Sequence, residues 1–202
     1  IKNITKKTVA ILVVHFAGLP CEMQEIVKIC KKYKLKLIED SAETLGAKYK
    51  NKYTGSFGLG CFSFFPTKNI TTTEGGMLTF QDKKLFDKAK KIIAHGIDKD
   101  LKKNFWHRES SLAGHNYRLP NHLAALGLSQ LNKLNLFNKK RRAIAKIYDK
   151  ELSNLGNFFI IQKVPKKITH SYQMYTVRVP IKYRSKFLDF MRKKKYRSLS
   201  SF

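Results

Sequence analysis

One lysine within a strand-loop-strand segment constrains this chain more than any other feature of its sequence. Residues 60–65 form an apolar run typical of a strand, and the polar loop that follows contains Lys68. A Glu-Gly-Gly turn at residues 74–76 leads into a second strand-forming run over residues 77–80. Loss of water around a lysine at a buried strand end favours the uncharged amine, which is the nucleophile for carbonyl groups. The segment therefore indicates a reactive lysine at the end of a sheet.

The sequence before this segment alternates between strand and helix patterns. A continuous apolar run over residues 8–14 predicts a strand buried on both faces of a parallel sheet, and an amphipathic helix over residues 22–33 follows it. A short strand then ends near Asp40. Strand-helix-strand units pair their strands in parallel, and ligands of such α/β sheets bind beyond the carboxyl ends of the strands. Asp40 lies at such an end, and so does Lys68 if strand 60–65 joins the same sheet.

Further elements are predicted along the rest of the chain. The apolar spacing predicts a helix over residues 82–94 and another with Pro120 in its first turn. A later helix is expected to end with Gly156 as its cap. Residues 173–179 alternate in the manner of a half-buried strand, and a basic helix is predicted from about Ser185.

The strong positive charge allows a different interpretation of the chain. Its 41 lysines and arginines against 14 acidic residues give a formal net charge of +27, and a basic surface is typical of nucleic-acid-binding proteins. Most of the basic residues are lysines spread along the predicted helices, however, whereas arginine makes most direct contacts with bases. Nucleic-acid binding is therefore kept only as an alternative function.

The apolar residues and the cysteines indicate what class of protein this is. Apolar residues make up 43% of the chain, enough for a core, and no apolar run reaches the length needed to span a bilayer, so we expect no membrane partner. Cys21, Cys30 and Cys61 lack CxxC spacing, which predicts free thiols in a reducing compartment, the cytoplasm. The cysteines and histidines do not form a metal-binding pattern, so no metal site is predicted.

Four stretches of the chain, taken in order, resemble those of one enzyme family. They are Ile38-Glu-Asp-Ser-Ala-Glu-Thr-Leu-Gly46, Phe62-Ser-Phe-Phe-Pro-Thr-Lys-Asn-Ile-Thr-Thr-Thr-Glu-Gly-Gly76, His95-Gly96, and Gly114-His-Asn-Tyr-Arg118 leading into residues 124–131. Together they are similar to the DegT/StrS-type nucleotide-sugar aminotransferases, which use pyridoxal 5'-phosphate. Thr73 departs from the pattern, because glycine is common there. The resemblance implies an α/β protein with a three-layer α/β/α major domain of the pyridoxal-phosphate type I, aspartate aminotransferase-like fold.

The resemblance also implies that only part of such a protein is present. Family members are about twice as long, and this chain looks like the central part of one, truncated at both ends. Residues 1–130 are expected to form the major domain without its N-terminal part. Residues 131–202 are expected to form a linking helix and the start of a small C-terminal α+β domain. A catalytically inactive fragment of such an enzyme is therefore a further alternative.

The same resemblance implies roles for individual residues. Lys68 would hold pyridoxal phosphate as a Schiff base and move the substrate proton, and Asp40 would keep the pyridine nitrogen protonated. Glu43 would lie near the cofactor ring, and Ser63 would contact the phosphate. Asn116 would reach the phosphate bound by the partner subunit, which implies a homodimer with a shared active site.

Each of these residues also has an ordinary structural interpretation. Lys68 and Glu43 could be solvated surface residues, and Asp40 could cap a turn or a helix. Ser63 could be a plain strand residue, and Asn116 a residue at the start of a helix. His15, at the end of the first strand, could approach the cofactor or be a hydrogen-bonded strand-end histidine.

The activity implied by the resemblance is a transamination of a nucleotide-linked sugar. An amino acid, glutamate being expected, would donate its amino group to a nucleotide-linked 4-keto-6-deoxy sugar used for surface glycans or flagellin sugars. Related sugar dehydratases usually carry histidine in place of the lysine, so Lys68 argues against that reaction.

Overall fold

The computed structural model describes residues 1–98 and 109–196, which form a mixed α/β structure. In chain order the elements are β1 (Ala10–Val14), α1 (Met23–Tyr33), β2 (Lys36–Asp40), β3 (Lys48–Tyr49), β4 (Lys52–Tyr53), β5 (Leu59–Ser63), β6 (Gly76–Thr79), α2 (Lys83–Ile92), β7 (Ile97–Asp98), β8 (Glu109–Ser110), α3 (Asn121–Leu131), α4 (Leu134–Ser153), β9 (Ile160–Ile161), β10 (Ile168–Thr169), β11 (Val177–Arg178) and α5 (Ile181–Lys193). Short 3-10 turns occupy residues 16–18 and 156–158.

A four-stranded sheet in the order β1-β2-β5-β6 positions the candidate site. β1, β2 and β5 run parallel, and β6 returns antiparallel to β5. Val14 lies opposite Asp40, and Asp40 lies opposite Cys61. The predicted parallel pairing is confirmed, and so is the predicted membership of β5 in the same sheet. The carboxyl ends of the three parallel strands therefore meet at one edge.

Three small sheets lie outside this central sheet. One has the order β10-β3-β4, and the pairs β11-β9 and β7-β8 form the other two. β10 follows α4 in the chain but pairs with β3, so the C-terminal part of the chain returns to the N-terminal half.

One face of β1, with Ile11 and Val13, is half-buried, whereas side chains on its other face are exposed. Leu12 is 61% exposed and Val14 is 50% exposed, so the prediction of a strand buried on both faces is wrong for the described residues. β1 is the edge strand of the sheet, and side chains two apart on a strand share a face. The apolar run predicted the strand correctly but not which faces are covered.

Several predicted boundaries also differ from the structure. α2 ends at Ile92, and its N-cap is Asp82, whose carboxylate accepts the Lys84 N–H. Pro120 is the N-cap of α3 and does not lie in its first turn. α4 ends at Ser153, so Gly156 caps no helix.

The C-terminal predictions need larger corrections. Of the strand predicted over residues 173–179, only Val177–Arg178 forms a ladder. The residues before it make hydrogen bonds to loops of the N-terminal half, and these contacts replace strand pairing. The last helix begins at Ile181, directly after Pro180, which is earlier than the predicted Ser185.

Helix α4 packs on the loop that carries Lys68. Phe64, Ile70 and Leu134 form a buried apolar cluster. Asn138, 2% exposed, adds a polar contact: its Nδ2 donates to Leu45 O at 3.0 Å, and its Oδ1 accepts from Asn69 Nδ2 at 2.6 Å. Burial of an amide is tolerated when its hydrogen bonds are made, and here they attach α4 to two site-bearing loops.

None of the helices within residues 1–98 and 109–196 is both long and hydrophobic enough to cross a bilayer.

We predict that Asn138→Leu lowers the free energy of unfolding by about 2 kcal/mol, because two buried hydrogen bonds are lost and the Leu45 carbonyl is left without its donor. Asn135→Leu is the matched control, since Asn135 is exposed on the same helix. Urea unfolding of both variants measures the difference. Equal stabilities would show that the Asn138 contacts do not attach α4 to the loops.

Candidate active site

Three turns meet at the carboxyl edge of the central sheet. β1 continues into the 3-10 turn at residues 16–18, β2 into residues 41–46, and β5 into the loop over residues 64–75. The ladder extends past the strand ends, since Ser41 N–H donates to Cys61 O at 2.8 Å. Side chains that follow parallel strands are brought together at this edge.

Lys68 and Glu43 are the predicted site residues that the structure brings into direct contact. Lys68 Nζ lies 3.6 Å from Glu43 Oε1, and the two side chains are 17% and 21% exposed. The other oxygen of Glu43 accepts the Ala17 N–H at 2.7 Å. Neither side chain is fully solvated, and Glu43 joins the turn after β1 to the lysine loop.

Threonines shape the loop that presents Lys68. Thr72 N–H and Thr71 Oγ1 both donate to Phe64 O, at 3.0 and 2.9 Å. Lys68 N–H donates to Phe65 O at 3.0 Å, which closes a turn before the lysine. Thr73 has φ of +68°, a region that favours glycine, which fits the glycine expected at this position.

Asp40 lies at the end of β2, where the sequence placed it. Its side chain is half-buried, and its Oδ1 accepts the Ala42 N–H at 3.1 Å. This hydrogen bond caps the turn after β2, which is the structural role considered for Asp40 as the alternative to cofactor binding. Within residues 1–98 and 109–196, Oδ2 has no hydrogen bond, so one oxygen remains free to bind a ligand.

Ser63 and Asn116 make their side-chain hydrogen bonds to residues other than Lys68. Ser63 ends β5, and its Oγ accepts the Phe65 N–H at 3.3 Å. Asn116 is exposed, and its Oδ1 accepts from Arg118 Nε at 3.2 Å. Their predicted phosphate contacts remain predictions.

Glu39 is the residue of this edge that sequence reasoning missed. Its side chain is fully buried, and it accepts the N–H groups of Gly55, Phe57 and Gly58 at 2.9, 2.7 and 2.8 Å. Burial alone would raise the pKa of the Glu39 carboxyl, but the contact with His15 and the three N–H groups outweigh it and hold the pKa below its usual range. The sequence gives no signal of this burial, because β2 also contains the charged residues Lys36 and Asp40 and the partners of Glu39 are mostly backbone N–H groups.

His15 is the fourth partner of Glu39. Its Nε2 lies 3.2 Å from Glu39 Oε2, and its Nδ1 accepts the Cys21 N–H at 3.0 Å. Because Nδ1 is an acceptor, the ring proton lies on Nε2 and is donated to Glu39. Of the two interpretations, the structure supports the hydrogen-bonded strand-end histidine.

The structure also shows the state of the cysteines and the placement of possible metal ligands. Cys21, Cys30 and Cys61 are free thiols, as predicted. In the part of the chain that the structure describes, no three histidine, cysteine, aspartate or glutamate side chains are placed to hold a metal ion.

Comparison with known proteins identifies the family. The sequence model of the DegT/DnrJ/EryC1/StrS aminotransferase family matches residues 1–200. The chain belongs to this family. The predicted family and fold class are thereby confirmed.

Individual family members agree with this assignment. GDP-perosamine synthase from Escherichia coli O157:H7 is 41% identical over 177 residues, which are 87% of this chain and 46% of that protein. The aminotransferase TlmJ from Streptoalloteichus hindustanus superposes with a TM-score of 0.92 at 28% identity, covering 99% of this chain and 54% of TlmJ. Helicobacter pylori PseC, an aminotransferase involved in pseudoaminic acid biosynthesis, gives a TM-score of 0.88 at 34% identity, covering 96% and 52%. The chain spans about half the length of the curated relatives it matches.

We predict that Glu39→Gln lowers the free energy of unfolding at pH 7 by about 2–3 kcal/mol, because charge-assisted hydrogen bonds are lost and an amide group faces N–H donors. The folded-state pKa of Glu39 is below its ordinary value of 4.5. Its contribution is therefore complete above that value and is lost as the pH falls through the folded-state pKa.

Urea unfolding between pH 7 and pH 3 measures this effect. The unsubstituted chain should lose more stability in acid than Glu39→Gln does. Glu25→Gln, at an exposed position on α1, is the control. Parallel pH profiles for the unsubstituted chain and Glu39→Gln would contradict the role of the ionised carboxylate.

Proposed function

We propose that the chain is the cofactor-binding core of a pyridoxal-phosphate-dependent nucleotide-sugar aminotransferase. The observation that carries this proposal is the contact between Lys68 and Glu43 at the sheet edge where Asp40 also lies. The reaction would pass an amino group from an amino acid, glutamate being the expected donor, to a nucleotide-linked 4-keto-6-deoxy sugar. The relative named GDP-perosamine synthase supports a nucleotide sugar as the substrate class.

The residues at this edge fit pyridoxal phosphate chemically. The cofactor needs an amine for its aldehyde, a carboxylate for its pyridine nitrogen and hydrogen-bond donors for its phosphate. Lys68 provides an amine shielded from water, and Asp40 provides a carboxylate with one oxygen free of hydrogen bonds to the described residues. The Ser63 hydroxyl, at the end of β5, would donate to the phosphate.

Bound pyridoxal phosphate supplies the electron sink that stabilises negative charge at the substrate carbon. The Lys68 amine would take the proton from that substrate carbon. It would then deliver the proton to the carbon that must gain one as the amino group is transferred. Glu43 Oε1 lies close enough to stabilise the protonated amine, and the Ala17 N–H fixes the orientation of that carboxylate.

The organisation of the whole protein is part of the proposal. Residues 1–130 would belong to the major domain, and residues 131–202 would form the linking helix and the start of a small domain. Asn116 would contribute to the site of a partner subunit in a homodimer, a role that its exposure permits. The protein would act in the cytoplasm, in the synthesis of surface glycans or flagellin sugars.

Two other outcomes are kept as alternatives. The chain could be an inactive fragment of such an enzyme, because it covers about half of its relatives. The net charge of +27 favours nucleic acid as the partner if no cofactor site is assembled.

We predict that borohydride reduction of the folded chain in pyridoxal phosphate leaves one dominant adduct, on Lys68, because Lys68 is the amine held at the site. Peptide mass spectrometry locates the adduct. Lys68→Ala should abolish it, whereas Lys28→Ala, which removes an exposed lysine, should leave it unchanged.

Weak labelling spread over many lysines would contradict an assembled site and favour the inactive fragment. In that case, tight binding to a DNA or RNA duplex that weakens steeply with salt would support the nucleic-acid alternative.

A further inference from the structure

A short C-terminal segment, residues 170–174, reaches the turn after β1 and the Glu43 backbone. Ser171 N–H donates to Gly18 O at 3.1 Å, and Met174 N–H donates to Ala17 O at 3.2 Å. Ser171 Oγ donates to Glu43 O at 3.2 Å. Ser171 is fully buried, so these bonds are protected from competition by water. They hold the backbone of Glu43, the carboxylate partner of Lys68, and the turn whose Ala17 N–H orients that carboxylate.

The same segment contacts the residues on both sides of Lys68. Gln173 Nε2 donates to Thr67 O at 3.1 Å, and Asn69 Nδ2 donates to Ser171 O at 3.0 Å. Thr67 and Asn69 are the two chain neighbours of Lys68. Besides its local hydrogen bonds, the loop around Lys68 is therefore held by contacts with residues more than 100 positions away in sequence.

Helix α4 holds this segment in turn. Arg141 NH1 donates to Tyr172 O at 3.0 Å and to Gln173 O at 3.2 Å. The helix, the segment and the lysine loop thus form a continuous chain of hydrogen bonds.

Packing alone does not explain why a glutamine occupies position 173. The residue is 9% exposed, and its Oε1 is buried with no partner in the part of the chain that the structure describes. A buried polar atom without a partner destabilises a fold, and an apolar side chain of similar size avoids that cost. The contribution of Gln173 is therefore its one hydrogen bond, which goes to the residue before Lys68.

We propose that Gln173 is a positioning residue that, together with Asn69, holds Lys68 Nζ at Glu43. The segment couples the C-terminal part of the chain to the reactive amine. The catalytic meaning of this inference rests on the proposed function, whereas the positioning itself is a property of the chain without cofactor.

The test uses Gln173→Met, which keeps the side-chain length and removes the donor. Gln81→Met is the matched control, because Gln81 Nε2 also donates to one backbone carbonyl, Ser56 O, at 3.1 Å. The measurement is the acetylation rate of each lysine in the cofactor-free chain, followed by peptide mass spectrometry. Hydrogen exchange of residues 66–72 is measured in parallel.

Gln173→Met should raise the acetylation rate of Lys68 and the exchange of the loop by about threefold to tenfold, the effect of one lost hydrogen bond. The rates of the other lysines should stay unchanged, and the thermal midpoint should not fall, because removal of the unpaired Oε1 offsets the lost hydrogen bond. A general loss of structure would change both. Asn69→Ala should act in the same direction from the other side of Lys68. Unchanged Lys68 rates in both folded variants would overturn the inference.

Reductive trapping with pyridoxal phosphate separates this inference from the proposed function. A smaller share of the adduct on Lys68 in Gln173→Met, with Gln81→Met unaffected, supports both. A faster-acetylated Lys68 in a chain that never forms the adduct supports positioning and refutes the proposed cofactor chemistry.

Discussion

The sheet edge depends on the hydrogen bonds that the buried carboxylate of Glu39 accepts. A charge without exposure to water is tolerated only when hydrogen bonds replace its hydration. Glu39 receives such bonds from His15 at the end of β1 and from three backbone N–H groups over residues 55–58. One side chain of β2 thereby connects the end of β1 with the turn that leads into β5. Asp40 is the next residue, and it pairs with Val14 and Cys61 at the same edge.

A second set of contacts arranges the candidate site residues around that edge. Glu43 uses one oxygen for the Ala17 N–H and the other for Lys68, so its orientation depends on the turn after β1. The lysine loop is held by its own threonines and, from outside, by Gln173. The site is therefore not a property of the strand-loop-strand segment alone. It needs the ends of three strands and a segment far away in sequence.

This dependence explains which parts of the site could be predicted from the sequence. Asp40 and Lys68 follow apolar runs, and the rule that parallel strands end at one edge places them correctly. Glu39 was missed because its partners are backbone groups at residues 55–58, which no side-chain pattern marks. Residues 173–176 alternate as a strand does, but they contact loops of the N-terminal half and helix α4 and do not join a strand ladder. The exposed face of β1 shows the same limit, since periodicity predicts an element but not its neighbours.

The sheet edge depends on Glu39 being ionised in the interior of the folded chain. A carbon-13 NMR titration of its carboxyl group tests this most directly. The carboxyl carbon should keep the ionised shift below pH 4.5, and the Gly55, Phe57 and Gly58 amides should respond only when the carboxylate is protonated. A carboxyl group that titrates at or above its ordinary pKa, with no response from those amides, would contradict this expectation.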